Sequence, residues 1–162
     1  MNRKGFTLIE VLAVIVILGV VLVIGSPYIL NAYKNSKLKS EEIFVDRLSD
    51  VIDSYVKLNS YDIVFTEDGS ATKVGQSGTV TVYSGTITVN DIITDNLISS
   101  EDFVNAGNKE ISCNKNAGIE VYRDSDFVYC HKVNKNSLNC LTDEYKNSIT
   151  GNYVIDTCIW SR

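Results

Sequence analysis

The chain has one proline in 162 residues, one histidine, and four cysteines of which none forms a CxxC pair. Each scarcity removes a class of explanation. A single Pro, Pro27, argues against a Pro-rich stalk. With one His, His131, and no CxxC, the usual zinc-ligand spacings are missing. There is no Gly-x-Ser-x-Gly, no P-loop and no dinucleotide fingerprint. His131 adjoins Cys130 in a predicted strand, where neighbours point to opposite faces, so the pair makes a poor dyad. No nucleophile, base and orienter can be named together, and an enzyme is not expected. Basic residues are also outnumbered: 15 Lys and Arg against 20 Asp and Glu, a net charge of −5. No general field draws nucleic acid.

What is present is strongly asymmetric. From Val11 to Ile24, "VLAVIVILGVVLVI", there is no polar side chain. Beyond Ser60 the text is Thr, Ser, Asn, Asp and Gly mixed with short β-branched runs. One part suits lipid or a dry protein bundle and the other suits water. The apolar part runs from Phe6 to Leu30, about 37 Å as a helix, enough to cross a bilayer. "MNRK" precedes it, and no A-x-A-like cleavage site follows, so the run reads as retained. Arg3 and Lys4 place its start in the cytoplasm by the positive-inside rule. Lys34, Lys37 and Lys39 argue the other way. The first orientation is preferred because it keeps the cysteine-bearing part out of a reducing compartment.

One carboxylate, Glu10, sits at the edge of the run. Burying it alone is costly enough to force neutralisation. A cation must meet it, or it must stay near the membrane interface.

"KGFTLIEV", residues 4–11, resembles the class III leader of type IV prepilins and pseudopilins: a short basic leader ending in Gly, then Phe, Thr, Leu, Ile, Glu and an apolar run. The likeness covers about the first thirty residues. It implies that a membrane-embedded prepilin peptidase cuts between Gly5 and Phe6 and methylates the new amine of Phe6. It further implies that, in a filament, Glu10 pairs with the Phe6 amine of a neighbouring subunit. Such a pair adds little stability but is expensive to break, so it sets register. Gly19 and Pro27 fall where the family softens this helix, which implies an extensible filament. Pro27 also removes a hydrogen bond to the Val23 carbonyl. The resemblance divides the chain into a leader (1–5), a transmembrane and assembly helix (6–30) and a globular head (31–162). The implied partners are identical or related pilins, the peptidase, a platform membrane protein and an assembly ATPase. The implied location is the cytoplasmic membrane before assembly and the cell surface after it. Two other readings stand beside the pilin: a pseudopilin of a secretion or DNA-uptake machine, and a bitopic membrane enzyme or receptor that keeps its leader and stays in the bilayer.

In the second half of the long helix, Phe44, Leu48, Val51, Tyr55 and Leu58 step as one face, widened by Ile43 and Ile52. One helix is expected from Phe6 to about Leu58. Strands are expected at 61–65, 79–89, 118–123, 126–133 and 152–160, with Gly69, Gly75 and Gly78 marking a loop. One or two short helices are expected in 90–104, capped at Asn90 or Asp91 and at Ser99 or Ser100. The hairpin across Asp124-Ser125 is the clearest. The sum is an α+β fold, an antiparallel sheet over a long N-terminal helix. Cys113, Cys130, Cys140 and Cys158 make two disulfides the expectation, with Cys113–Cys130 and Cys140–Cys158 preferred among three connectivities. "RDSD", 123–126, and "LTDEY", 141–145, hold loop carboxylates. Neither has EF-hand spacing, and both read as solvated turns rather than calcium ligands. No cofactor or metal site is expected.

Overall fold

The computed structural model describes residues 7–74, 77–105 and 108–161. Two compact units are present, residues 1–37 and 38–162. Helix α1, Leu8–Leu58, contributes residues to both. In the first unit the helix is exposed from Leu8 to Ile24, and from Val11 to Ile24 it is apolar all round.

The second unit is α+β, as expected. It holds strands β1 (Thr66–Lys73), β2 (Thr79–Thr88), β3 (Val104–Asn105), β4 (Asn108–Ser112), β5 (Gly118–Asp124), β6 (Tyr129–Asn134), β7 (Tyr153–Asp156) and β8 (Trp160–Ser161). Six of them form one antiparallel sheet in the order β7-β6-β5-β2-β1-β8, and β3 and β4 pair separately. Helices α2 (Val89–Thr94) and α3 (Asp143–Ser148) lie in the connections.

The core forms where one stripe of α1 meets one face of the sheet. Val45, Leu48, Ile52 and Val56 pack with Ile87, Ile119, Val121, Val133 and Ile155, and Phe103, Ile92 and Leu138 close the sides. Each fully buried Val, Leu or Ile contributes roughly 1.5–3 kcal/mol. The buried stripe is turned from the expected one: Val45 and Val56 are buried, Phe44, Val51 and Tyr55 are half-buried, and Leu58 and Ile43 are exposed. A 3.6-residue repeat allows either line, and the sheet's position selects between them.

Several expected strands are corrected. Residues 61–65 are a turn and an extended link, not a strand. Ile63 and Val64 cross β2 at Gly85, where an added Cβ would sit 2.9 Å from Ile63 Cγ2 and 3.0 Å from the Val64 carbonyl. The neighbouring strand is instead β1, read from sequence as loop. Only Ala71 of β1 is buried, so it has no apolar alternation to reveal it; backbone pairing to β2 makes it a strand, with an irregularity at Glu67/Gly69. Residues 152–160 are two strands at opposite edges of the sheet. In 90–104 there is one helix, α2. Its cap is Thr88 rather than Asn90 or Asp91, in a capping box with Asp91. Ser99 starts a turn, accepting from the Glu101 and Asp102 backbone N–H groups. The expected hairpin is there, but its turn runs to Val128, with Phe127 at φ 61°.

The disulfides are Cys113–Cys140 and Cys130–Cys158, not Cys113–Cys130 and Cys140–Cys158. The sheet dictates this. Lys132 pairs with Asp156 across β6 and β7, and continuing that antiparallel register by two residues sets Cys130 against Cys158. Cys113 is brought to Cys140 because Asn114 N–H donates to the Leu138 carbonyl (2.9 Å) and to Asn139 Oδ1 (3.0 Å).

Candidate functional site

The start of α1 is built by a short sequence pattern. Thr7 precedes the helix and Glu10 lies three residues on. Thr7 N–H donates to Glu10 Oε2 at 2.9 Å and Thr7 Oγ1 at 3.0 Å. Glu10 N–H reaches back to Thr7 Oγ1 at 3.4 Å. This is the reciprocal pattern of a capping box, and the carboxylate also complements the positive end of the helix dipole. Glu10 therefore has a role within one chain. Its sequence signal is Thr7-x-x-Glu10, a pattern that the apolar run alone does not bring out. Gly5 and Phe6, the expected cleavage position, lie outside the described residues.

Further along α1, an added Cβ at Gly19 or Gly25 would meet nothing within 4 Å. A helical glycine costs roughly 0.5–1 kcal/mol relative to alanine. Among the described residues no contact requires either one. Pro27 lies within the helix, and one residue earlier Ser26 Oγ donates to the Leu22 carbonyl at 2.6 Å. Back-bonding of this kind weakens and bends a helix turn. Gly25, Ser26 and Pro27 thus act on the same turn. α1 is long and apolar enough to cross a membrane.

The remaining sequence candidates take structural roles in the head. Cys130 is bonded to Cys158, so it forms no thiol dyad with His131. His131 is buried between α1 and the sheet, with Nε2 3.1 Å from Ser49 Oγ and Nδ1 3.4 Å from Thr157 Oγ1. Burial pushes its pKa down, against the attraction of Asp53 and Asp156.

In "RDSD", Asp124 Oδ1 accepts from the Asp126 (2.8 Å) and Val128 (2.9 Å) backbone N–H groups. Lys73 Nζ bridges Asp124 Oδ2 and Asp126 Oδ2, each at 2.8 Å. An internal ammonium stands where a loop cation would be. Burial alone would raise the Asp124 pKa; Lys73 and the two N–H groups bring it below the ordinary carboxylate value. The same contacts raise that of Lys73. In "LTDEY", Thr142 caps α3, and Asp143 and Glu144 lie in its first turn. Among the described residues, no three His, Cys, Asp or Glu side chains gather as a metal site.

The family described as the prokaryotic N-terminal methylation motif matches residues 1–26. No curated protein and no solved structure matches the chain. The matched segment holds the Gly5–Phe6 step, Glu10 and most of the exposed apolar helix. The motif implies processing by a prepilin peptidase and assembly with pilins, and with the apolar helix it is consistent with membrane anchoring before assembly. Residues 1–26 carry the class III prepilin leader signature, which supports a precursor of the type IV pilin-like or pseudopilin kind.

Proposed function

We propose that this chain is a structural subunit of a type IV pilus and not an enzyme. It is cut between Gly5 and Phe6, methylated on Phe6, and assembled through its N-terminal helix into a filament at the cell surface. The observation that carries this reading is the pairing of the methylation motif with a helix exposed on every side from Leu8 to Ile24. Lipid covers that surface before assembly, and the same helices of neighbouring subunits cover it afterwards. Leaving it in water would be strongly unfavourable.

Glu10 serves both states. In the single chain it caps the helix through Thr7. In the filament its charge meets the Phe6 amine of a neighbour, which fixes register because a misplaced subunit leaves a charge unpaired. Gly19 then permits close helix approach, and the Gly25–Pro27 turn permits extension. The partners are other copies or related pilins, the peptidase, a platform membrane protein and an assembly ATPase.

A pseudopilin of a secretion or DNA-uptake machine is the second reading, since the same motif begins both kinds of subunit. Shearing cells and comparing the fractions separates them. A pilin is recovered in quantity in the sheared filament fraction. Recovery of the processed chain only in the membrane fraction would favour the pseudopilin.

A further inference from the structure

The face of the sheet turned away from α1 carries an ordered group of side chains with no part in assembly as argued above. On β5, Ile119 and Val121 point into the core, so Glu120 and Tyr122 point outward. On β6, Val133 packs in the core and His131 meets Ser49 of α1, so Cys130 and Lys132 point outward. Tyr122 Oη donates to Glu120 Oε2 at 2.8 Å, and Tyr153 Oη donates to the same oxygen at 3.3 Å. Lys132 Nζ lies 5.1 Å from the Tyr153 ring centre and 6.0 Å from that of Tyr122, and 3.0 Å from Asp156 Oδ2. The Cys130–Cys158 disulfide fixes the chain leading to Trp160, which is held against β1 opposite Lys73. Between them is a cleft of about 270 Å³ lined by Tyr122, Lys132, Tyr153, Cys158 and Trp160. Trp160 Nε1 is buried and has no hydrogen-bond partner among the described residues.

The chemistry of the walls selects a ligand class. A second cation is disfavoured, because the Lys132 ammonium already stands beside the two rings and would repel it. An anion meets Glu120 and Asp156 in a chain of net charge −5, and the one lysine there is already paired. A purely apolar ligand would cover Lys132 and the tyrosine hydroxyls without answering them. A neutral sugar ring satisfies all of these walls. Its C–H face settles on the negative face of an aromatic ring, and its hydroxyls donate to carboxylates and accept from lysine or indole N–H. The volume is just below that of sites for drug-sized ligands, which suits one ring rather than several.

We propose that this outer-face cleft binds a neutral hexopyranose, with Tyr122 and Tyr153 as stacking surfaces and Lys132 and Trp160 as donors. The site belongs to the head alone and stands whether the chain builds a pilus or a pseudopilus.

Trp160 is the only tryptophan, so its fluorescence reports the cleft directly. The full-length protein, in a detergent without a sugar headgroup, is titrated with methyl glucopyranoside, methyl galactopyranoside, methyl mannopyranoside and N-acetylglucosamine. A saturable emission change is expected with at least one of them. Tyr153→Ala is expected to weaken it by about tenfold, while Tyr61→Ala, at a fully exposed position outside the cleft, leaves it unchanged. Saturation-transfer NMR on the sugar protons with the unaltered protein reads binding independently of any variant's folding. Absence of both signals overturns the proposal. So does an equal response in Tyr153→Ala.

Discussion

Glu41 of α1 accepts both hydrogen bonds that Thr142 can offer it: the Thr142 backbone N–H at 3.0 Å on Oε1 and the Thr142 hydroxyl at 2.7 Å on Oε2. Glu41 is fully buried, and Thr142 also caps α3 by accepting from Tyr145 N–H. The long helix and the C-terminal connection of the head are thereby joined at one point. Thr142→Val removes the hydroxyl while keeping the shape, and leaves a buried carboxylate oxygen unanswered. It is expected to destabilise the head by about 1–3 kcal/mol, with Thr142→Ser close to unchanged. Denaturant unfolding of the full-length protein in detergent measures both.

The two disulfides close spans of 27 and 28 residues. Loop closure of that length contributes about 3.5 kcal/mol each in the chain-entropy account. Equal spans predict equal entropic losses, so any difference between the double-alanine variants comes from packing. Cys113 and Cys140 are both buried, whereas Cys158 is half-buried. Loss of Cys113–Cys140 is therefore expected to destabilise more. Peptide mapping without reduction should recover the Cys113–Cys140 and Cys130–Cys158 linkages; a Cys113–Cys130 peptide would contradict the fold.

Two acid-sensitive steps follow from the head's buried titratable groups. The pKa of His131 is lowered in the folded state from its ordinary 6.5. Above that value the two states bind equal protons. As pH falls below 6.5 the unfolded chain takes up a proton that the folded chain refuses, and stability drops until the folded His131 also titrates. The Asp124 pKa is lowered from 3.8, so its contribution is complete above that value and is lost as pH falls through the folded value. Denaturant midpoints across pH should show two descents. His131→Gln is expected to remove the first and Asp124→Asn the second.

Glycine at position 19 costs helix stability without any contact in the single chain that demands it. Gly19→Ala is therefore expected to raise the stability of the helix in detergent by roughly 0.5–1 kcal/mol. If the glycine serves close helix approach, the same variant lowers filament yield. Pro27→Ala restores a backbone hydrogen bond and is expected to increase helicity by circular dichroism. It should also stiffen filaments under pulling.

The parts of this molecule legible from sequence are those written in local patterns. The leader "KGFTLIEV" and the run from Val11 to Ile24 need no tertiary information. The β5–β6 pair carries its own alternation and turn. β1 was hidden because its side chains are nearly all exposed and only backbone pairing defines it. The cysteine pairing depends on the register of β6 with β7, which no spacing in the sequence reveals. The helix stripe is legible but not its rotation, since Phe44–Leu48–Val51 and Val45–Leu48–Ile52 are equally good apolar lines until the sheet is in place. In α1, Glu10, Gly19 and Pro27 are readable as exceptions to an apolar helix, whereas a threonine before a helix, Thr7, is unremarkable until its partner three residues on is considered.

If Glu10 pairs with the Phe6 amine of a neighbouring subunit, cleavage after Gly5 must first create that amine. Intact mass spectrometry of the protein from cells, with fragmentation of its N-terminus, reads this. A chain lacking residues 1–5 and beginning with N-methylated Phe6 is expected. A mature chain that still begins at Met1 would rule the pairing out, because the charge for Glu10 to meet would not exist.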